Sequence, residues 1–379
     1  MTTNQDEHSA SWHGQDVDAS TVERALDRLI QEMKLPGGGE PYPPARASVL
    51  NLIVRATDRE DEARAVGALG EVAGLHPSRT LVVATDPAAE PGLDASVNAH
   101  CRLKPGTPAR VCTEEVRLTA RGGMTGQMSS VVAPLLVPDL PVFLWWLRGQ
   151  PEADEELLPL CDRLIVDSSQ LDPAGLVNLE TLTEALRSRV VVSDLGWSAL
   201  EPWRELLAQL FDPPEARPHQ RRLTTVRLHY VAGGATALPL LLLGWLAASL
   251  GWSPDDSAPH TAEGGWQLEA WSPSGPVDVS LKPVPVPGGW LEPGEMLAVT
   301  LVAGRGVRQA AFSVEREDDQ LCAEVRAVLP GRSISAHTLS LARPSLAARL
   351  NQELEQMARA PLYHESLAWA ERIARAGRR

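Results

Sequence analysis

The chain has 379 residues, enough for two domains of ordinary size, and 44% of them are hydrophobic, so each domain can bury a core. Its formal net charge of −14 argues against nucleic acid or an anionic membrane as the main partner. Residues 1–15 lack the apolar core of a signal peptide, and the longest apolar run, 237–250, is too short to span a bilayer. The sequence therefore predicts a cytoplasmic protein of two domains.

The residues before position 213 predict a layered α/β domain. Residues 1–17 show no regular pattern and a helix follows Asp18, so 1–40 is expected to be a flexible N-terminus with a first helix. Over 41–212 strands alternate with helices, which implies a mostly parallel sheet with helices on both faces. The predicted strands are 48–56, 80–85, 95–103, 110–120, 142–147, 163–167 and 190–193. The predicted helices are 59–73, 129–136, 152–160, 178–188 and 201–211.

The strand at 142–147 is the most informative of these elements. Neighbouring side chains of a strand point to opposite faces, so the adjacent Trp145 and Trp146 each need their own apolar cover. A strand with bulky apolar groups on both sides belongs inside a sheet that is covered on both faces. The pair therefore predicts a central strand of the α/β domain.

The pattern changes after the proline-rich residues 211–218, which mark the predicted domain boundary. A run of strands followed by helices indicates an α+β domain with an antiparallel sheet over 219–379. Its predicted strands are 223–231, 266–271, 277–284, 296–302, 310–316 and 321–328. Its predicted helices are the buried apolar segment 237–250 and the closing pair 344–359 and 361–375.

A glycine-rich loop, 121–127, lies between a predicted strand and a predicted helix. In that context backbone N–H groups and a helix N-terminus can hold a phosphate. The loop matches neither the P-loop pattern nor the dinucleotide-binding pattern, and tight-turn geometry alone explains the glycines. Both interpretations stay open. The residues of the anion-binding interpretation are Gly122, Gly123, Gly126 and Ser129.

Two further features, one aspartate and one pair of tryptophans, have alternative interpretations. Asp167 follows a strand at the sheet edge where α/β proteins bind ligands, so it is either a catalytic carboxylate or, with the serines after it, a cap. Trp197 lies in a predicted loop and Trp203 opens a predicted helix. Such a pair either anchors a partner or fastens the helix to the sheet.

The sequence contains no recognisable catalytic or metal-binding motif. The four cysteines, Cys101, Cys112, Cys161 and Cys322, match neither a zinc motif nor a redox pair, and the nine histidines do not cluster. Buried thiols are expected rather than a disulfide. We therefore expect no catalytic residue, no metal and no cofactor, and the residues alone indicate a binding or regulatory protein.

Several segments resemble the OpcA family of glucose-6-phosphate dehydrogenase assembly proteins, and the similarity runs from about residue 46 to beyond Trp252. The segments are 138–146, 163–168, 194–197, 202–207, 211–212, 242–247 and 250–252. The resemblance implies a non-enzymatic protein that binds the oligomeric dehydrogenase, helps to assemble or stabilise it, and raises its activity. The pathway it implies is the oxidative pentose phosphate route, which makes NADPH.

On this interpretation the exposed members of a Trp and Arg set contact the dehydrogenase. The set is Arg148, Trp197, Trp203 and Arg204. Neither nucleic acid nor membrane is expected as a partner. Two alternatives remain: an enzyme acting on a phosphosugar through the glycine loop and Asp167, and a metabolite-sensing adaptor that uses the loop 121–130.

Overall fold

The computed structural model describes twelve stretches of the chain, which fold into two compact units. The described residues are 7–32, 45–46, 48–57, 59–72, 75–103, 110–152, 155–254, 260–262, 265–286, 291–317, 321–356 and 360–377. The first unit comprises Met1–Val166, Ala185–Ser193 and Leu346–Met357, and the second comprises Asp167–Glu184, Asp194–Ser345 and Ala358–Arg379. Each unit is thus built from three pieces of chain, and the domain bounds expected from the sequence stay a prediction.

The strands and helices alternate at first and then separate into a run of strands and a closing pair of helices. The strands are β1 (Glu7–Gly14), β2 (Ala45–Arg46), β3 (Leu50–Arg55), β4 (Ser78–Asp86), β5 (Gly92–Leu103), β6 (Arg110–Arg121), β7 (Val142–Trp146), β8 (Arg163–Val166), β9 (Val191–Asp194), β10 (Leu223–Val231), β11 (Ser253–Pro254), β12 (His260–Ala262), β13 (Gly265–Ser272), β14 (Gly275–Val284), β15 (Met296–Ala303), β16 (Ala310–Arg316), β17 (Cys322–Leu329) and β18 (Arg332–Ser340). The helices are α1 (Ala19–Glu32), α2 (Arg59–Val72), α3 (Met128–Val132), α4 (Pro173–Leu186), α5 (Leu195–Ala199), α6 (Glu201–Gln209), α7 (Arg217–Gln220), α8 (Ala237–Leu250), α9 (Leu346–Glu355) and α10 (Pro361–Ala376).

The first sheet has nine strands in the order β1-β5-β6-β4-β3-β7-β8-β9, with β2 beside β6. Strands β6, β4, β3, β7 and β8 pair in parallel, and β5 and β1 add an antiparallel edge. The run β4-β3-β7-β8-β9 follows the order of a doubly wound α/β sheet. The predicted fold class of this part of the chain is therefore confirmed.

Strand β7 lies in the middle of this sheet, between β3 and β8. All five of its residues are buried, including Trp145 and Trp146. The prediction of a central strand covered on both faces is confirmed. The guanidinium of Arg55 lies 5.6 Å from the centroid of the Trp146 ring, so one of the two rings also receives a cation.

The N-terminal residues differ from the prediction. Asp18 caps α1 by accepting a hydrogen bond from the N–H of Thr21 at 2.7 Å, as expected. The preceding residues, however, form β1, which pairs antiparallel with β5. The prediction of no regular structure before residue 18 is therefore wrong over Glu7–Gly14. This strand is polar and forms because β5 offers unpaired N–H and C=O groups at its edge. The predicted linker at 36–41 lies outside the described residues.

The predicted helix at 152–160 is also wrong. The described part of that stretch forms turns and one 3₁₀ turn over Leu158–Leu160. Pro159 has no N–H to continue a helix. The carboxylate of Glu156 accepts a hydrogen bond from the N–H of Met128, in α3. The helix predicted at 129–136 is shortened for the same reason, because α3 gives way to a 3₁₀ turn that contains Pro134.

The second sheet has nine strands in the order β11-β13-β14-β10-β15-β16-β17-β18, with β12 beside β13. Among the described strands of this sheet only β10 and β14 pair in parallel, and the other neighbours are antiparallel. The predicted α+β class is confirmed. The sequence gives no signal for β18, because this edge strand is polar and mostly exposed and so lacks an alternating apolar pattern.

Helix α8 forms where the longest apolar run predicts a buried helix. Ten of its fourteen residues are buried, from Ala237 to Ala247. Gly251 ends it in the left-handed conformation, with φ of 67°, which is the usual end of a helix. No helix within the described ranges is both long and apolar enough to cross a bilayer.

Candidate functional site

The block around Trp197 folds into a corner between two helices of the second unit. Helix α5 begins after Asp194, and α6 begins at Glu201 with Pro202 in its first turn, where a missing N–H costs nothing. Only Leu200 separates the two helices. The sequence did not predict α5, since five residues give too little periodicity to identify a helix.

Trp197 lies half-buried in this corner between a cation and an aromatic ring. The guanidinium of Arg204 stacks 3.8 Å from the centroid of the indole. The ring centroid of Tyr363, which lies on a third helix, α10, is 5.6 Å from that of Trp197. Nη1 of Arg204 also donates to the carbonyl of Trp197 at 2.6 Å. We call Trp197, Arg204 and Tyr363 the Trp–Arg corner. It holds a tryptophan and an arginine in fixed positions at the surface.

Trp203 has a different role from its neighbours. Its side chain is only 4% exposed, and the guanidinium of Arg316 lies 5.7 Å from its ring centroid. A cavity of about 30 Å³, the size of one water molecule, lies beside it and is also lined by Met296 and Leu341. Trp203 therefore fastens α6 to the second sheet and is not one of the exposed members of the predicted contact set.

Next to the Trp–Arg corner, the side chain of Asp194 joins the start of α5 to the 3₁₀ turn Ser168–Gln170 by hydrogen bonds. Its carboxylate accepts from the N–H of Ser168 at 2.9 Å, the hydroxyl of Ser168 at 2.6 Å, and the N–H of Gly196 at 2.8 Å. Burial raises the pKa of Asp194 to about 6. A Cβ at Gly196 would lie 2.3 Å from the Ser168 hydroxyl oxygen, so only glycine permits this approach. In the sequence, Asp194 and Gly196 are marked only as part of the 194–197 segment of the family resemblance.

Asp167 acts as a cap in the structure. Its side chain accepts from the N–H of Ser169 at 3.0 Å at the start of a 3₁₀ turn, Ser168–Gln170. This geometry matches the capping interpretation of the sequence.

Arg148, the remaining member of the set, lies in the first unit just after β7. Its Nη2 lies 2.9 Å from Oδ1 of Asp61, which is 1% exposed, whereas the Arg148 side chain is 56% exposed. Burial alone raises the pKa of Asp61, but hydrogen bonds from Arg148 and Thr57 hold it below the usual value. Arg148 is thus anchored at one end by a buried carboxylate and remains accessible to a partner.

The glycine loop holds a carboxylate from its own chain. Glu156 accepts from the N–H of Met128 at 2.8 Å and from the N–H and the hydroxyl of Ser129 at 3.1 and 3.2 Å. Gly122 has a φ of 52°, and a Cβ there would lie 2.8 Å from the carbonyl of Ala89, so tight-turn geometry does require this glycine. Gly123 and Gly126 have open space around them. The anion-binding loop stays a prediction, and an external phosphate would have to displace Glu156.

Replacing Glu156 with glutamine is expected to lower the free energy of unfolding by about 1 kcal/mol, because a neutral amide accepts more weakly than a carboxylate at the start of a helix. Urea unfolding at constant m-value measures the change. Glu152→Gln, at an exposed position of the same segment, is the matched control and is expected to stay within about 0.5 kcal/mol of the native chain. Equal unfolding midpoints for the two variants would contradict the assigned role.

Cysteine and metal chemistry contribute little to the described part of the chain. Cys161 is buried and lies outside any disulfide, and burial raises the pKa of its thiol to about 12, so it is not a reactive thiolate. Cys101 and Cys112 are backbone partners on β5 and β6, as the predicted hairpin requires. No group of three or more His, Cys, Asp or Glu side chains among the described residues is arranged to hold a metal ion.

The fold and the site together define a class: a two-unit protein with a doubly wound and an antiparallel sheet, whose best-formed candidate site is a fixed aromatic–arginine surface. Residues 70–184 match the family model of the N-terminal domain of a glucose-6-phosphate dehydrogenase subunit. Residues 190–367 match the family model of the C-terminal domain of the same kind of protein. The chain belongs to the OpcA family of glucose-6-phosphate dehydrogenase assembly proteins, as the resemblance predicts.

Two cyanobacterial proteins, each described as "Putative OxPP cycle protein OpcA", are similar to this chain. The Synechocystis protein is 31% identical over 193 residues, which are 50% of this chain and 40% of the relative. The Synechococcus elongatus protein is 28% identical over 316 residues, which are 78% of this chain and 68% of the relative. The chain thus matches less than half of the first relative's length.

Proposed function

We propose that this protein is a non-enzymatic assembly factor and allosteric activator that binds the glucose-6-phosphate dehydrogenase oligomer and so supports the oxidative pentose phosphate pathway. The observation that carries the proposal is family membership over both domains. The contact set adds a physical means of binding, because Trp and Arg contribute the largest share of energy at protein interfaces.

Activation follows from binding if the protein prefers one form of the enzyme. A ligand shifts an equilibrium only by its difference in affinity for the two states. A tenfold gain in the apparent affinity of the enzyme for its substrate needs about 1.4 kcal/mol of coupling. One well-placed aromatic or arginine contact supplies that amount.

Trp197 and Arg204 are the contact residues with the strongest support. Both are partly exposed, and the 3.8 Å stacking fixes the indole and the guanidinium relative to each other before a partner arrives. Because less side-chain freedom is lost on binding, such a pre-formed pair contributes more net affinity than two mobile side chains. Arg148 offers a similar anchored cation on the first unit.

Trp197→Ala and Arg204→Ala are each expected to weaken binding to the purified dehydrogenase about tenfold or more, and to lower activation in proportion. Surface plasmon resonance measures the affinity, and the dehydrogenase rate with and without the chain measures activation. Arg28→Ala, at an exposed position on α1, is the control and should leave both values unchanged. Circular dichroism verifies folding, since Trp197 also packs against Tyr363. Native binding by both folded variants would remove the corner from the contact surface.

The overall function is tested with the native chain and the dehydrogenase of the same organism. The expected result is co-elution of the two proteins, a higher rate of NADPH formation in the mixture, and no turnover of glucose 6-phosphate with NADP by the chain alone. Light scattering of the mixture distinguishes a change in oligomer size from a change in KM. Turnover without added dehydrogenase would contradict the proposal.

A further inference from the structure

One end of the second sheet carries an unusual concentration of arginine. The strand register brings four connections to this end, because Leu223 at the start of β10 pairs with Ala303 at the end of β15. The β15–β16 turn, the β17–β18 turn, the β13–β14 turn and the α7–β10 segment all lie there. The six exposed arginines of these connections, which we call the arginine end, are Arg217, Arg221, Arg222, Arg305, Arg308 and Arg332.

The charge of this end opposes that of the whole chain. The formal net charge is −14, yet the described residues of these four connections carry no carboxylate, and two, Asp212 and Glu215, lie just before α7. Glu215 accepts from Arg332 at 3.2 Å, and the backbone carbonyl of Asp212 accepts from Arg217. Within the described ranges the guanidinium groups of the other four arginines form no ion pair with a carboxylate, so most of the positive charge remains available.

The arginine end is held in place by the backbone. The N–H of Gly304 donates to the carbonyl of Arg222 at 3.3 Å, and the hydroxyl of Thr224 donates to the carbonyl of Gly304 at 3.0 Å. The hydroxyl of Ser274 donates to the carbonyl of Arg221 at 2.7 Å. Adjacent strands lie about 4.8 Å apart, so the turns from β13 to β18 span about 30 Å. That width suits one side of a standard protein interface.

Two apolar side chains are exposed with these charges. Val307 is 97% exposed between Arg305 and Arg308 at the tip of the β15–β16 turn. Trp271 is 48% exposed on β13, in the strand that leads into the turn with Ser274. Aliphatic and aromatic groups among arginines are the composition of a protein-binding surface, since the apolar groups gain by leaving water and the cations provide orientation.

We infer that the arginine end is a docking surface for an acidic patch on a partner protein. The inference rests on the proposed function for the partner's identity, which is then the glucose-6-phosphate dehydrogenase, and it adds a surface separate from the Trp–Arg corner. An acidic protein surface fits the arginine end better than nucleic acid does. The net charge of −14 repels nucleic acid, and the apolar Val307 and Trp271 would gain no contact from a phosphate backbone. Charge pairing at such a surface chiefly raises the association rate.

The test is charge reversal in the full chain. The triple variant Arg222→Glu, Arg305→Glu and Arg308→Glu is expected to slow association with the purified dehydrogenase about tenfold or more at low ionic strength, and by much less in about 0.5 M salt. The matched control reverses three exposed arginines of the first unit, Arg28, Arg64 and Arg189, and so makes the same change in net charge. It is expected to associate within about threefold of the native rate, because none of these three arginines belongs to the arginine end.

Two further variants keep the inference open to refutation. Arg305→Lys with Arg308→Lys preserves the charge and is expected to associate at the native rate. Val307→Asp is expected to weaken the complex without unfolding the chain, since this side chain is almost fully exposed. Circular dichroism and the urea m-value report folding of every variant.

The outcomes separate the inference from the proposed function. Native association of the folded triple variant overturns the docking surface and leaves the proposed function standing. Absence of binding by the unaltered chain overturns the proposed function and the docking surface with it. If a labelled DNA duplex binds the native chain and loses affinity on charge reversal, while dehydrogenase binding does not change, the surface is a nucleic-acid site and the inference is wrong.

Discussion

Replacing Gly244 with alanine is expected to lower the free energy of unfolding of the protein by about 3 kcal/mol. A Cβ at this position would lie 2.2 Å from the backbone carbonyl oxygen of Ser366, far inside van der Waals contact. Gly244 lies in α8 and Ser366 in α10, so the clash is relieved only if two packed helices move apart. Both residues are buried, and a close-packed core has no space to absorb that movement.

The same helix shift should reach the candidate site. Tyr363 lies on α10 about one turn before Ser366 and packs against Trp197. Gly244→Ala is therefore also expected to weaken dehydrogenase binding, although the substituted residue is buried and touches no partner. Urea unfolding measures the first effect and surface plasmon resonance the second.

Gly67 provides a control of opposite sign. It lies inside α2, and a Cβ there would have no heavy atom within 4 Å. Alanine loses less conformational freedom than glycine in a helix, so Gly67→Ala is expected to raise the free energy of unfolding by about 0.5–1 kcal/mol. If Gly244→Ala were neutral or stabilising, as Gly67→Ala is expected to be, the close helix crossing at Gly244 would not be real.

The second large effect is expected at Asp194. Asp194→Ala removes the acceptor for two buried N–H groups and one hydroxyl, those of Ser168 and Gly196, and each unsatisfied donor costs about 1 kcal/mol or more. We expect a loss of about 3 kcal/mol near pH 5. Asp194→Asn keeps the shape and one accepting oxygen, and its nitrogen can donate to the Ser168 hydroxyl, so about 1 kcal/mol is expected.

The pH dependence of the Asp194 contribution has a definite sign. Burial raises the pKa of this carboxyl from 3.8 to about 6, so between these values the folded chain holds more protons than the unfolded chain. The contribution of Asp194 to stability is therefore full below pH 4 and falls as the pH rises through 6, by about 3 kcal/mol. Asparagine does not titrate and removes this dependence.

Urea unfolding of the native chain and of Asp194→Asn at pH 4.5, 5.5, 6.5 and 7.5 isolates this group, because every other carboxyl is common to both. The native chain is expected to lose stability relative to the variant across the series. Two curves that stay parallel would show that the pKa of Asp194 is not raised. The titration also predicts that the anchoring of Trp197, which follows Gly196 in α5, is firmest in mildly acidic solution.

Local sequence patterns predicted the elements that bury a large apolar surface. The apolar run at 237–250 became α8 with the predicted ends, and the strand of Trp145 and Trp146 became the buried β7. These predictions held because the spacing of apolar residues along one element indicates which of its faces is buried. The polar strands β1 and β18 were not predicted. Each is held by hydrogen bonds to a neighbouring strand, and its own residues show no alternating apolar pattern.

The sequence by itself determined the fold class, the order of most elements and the family, because each rests on residue types within one segment or one motif. Only the tertiary structure decided which residues from distant segments meet. Asp194 reaches Ser168, α8 crosses α10 at Gly244, and the strand register gathers arginines from distant turns into one end of a sheet. Such pairings depend on sheet register and helix crossing, which are set by the packing of whole elements and not by the propensities of the residues that come together.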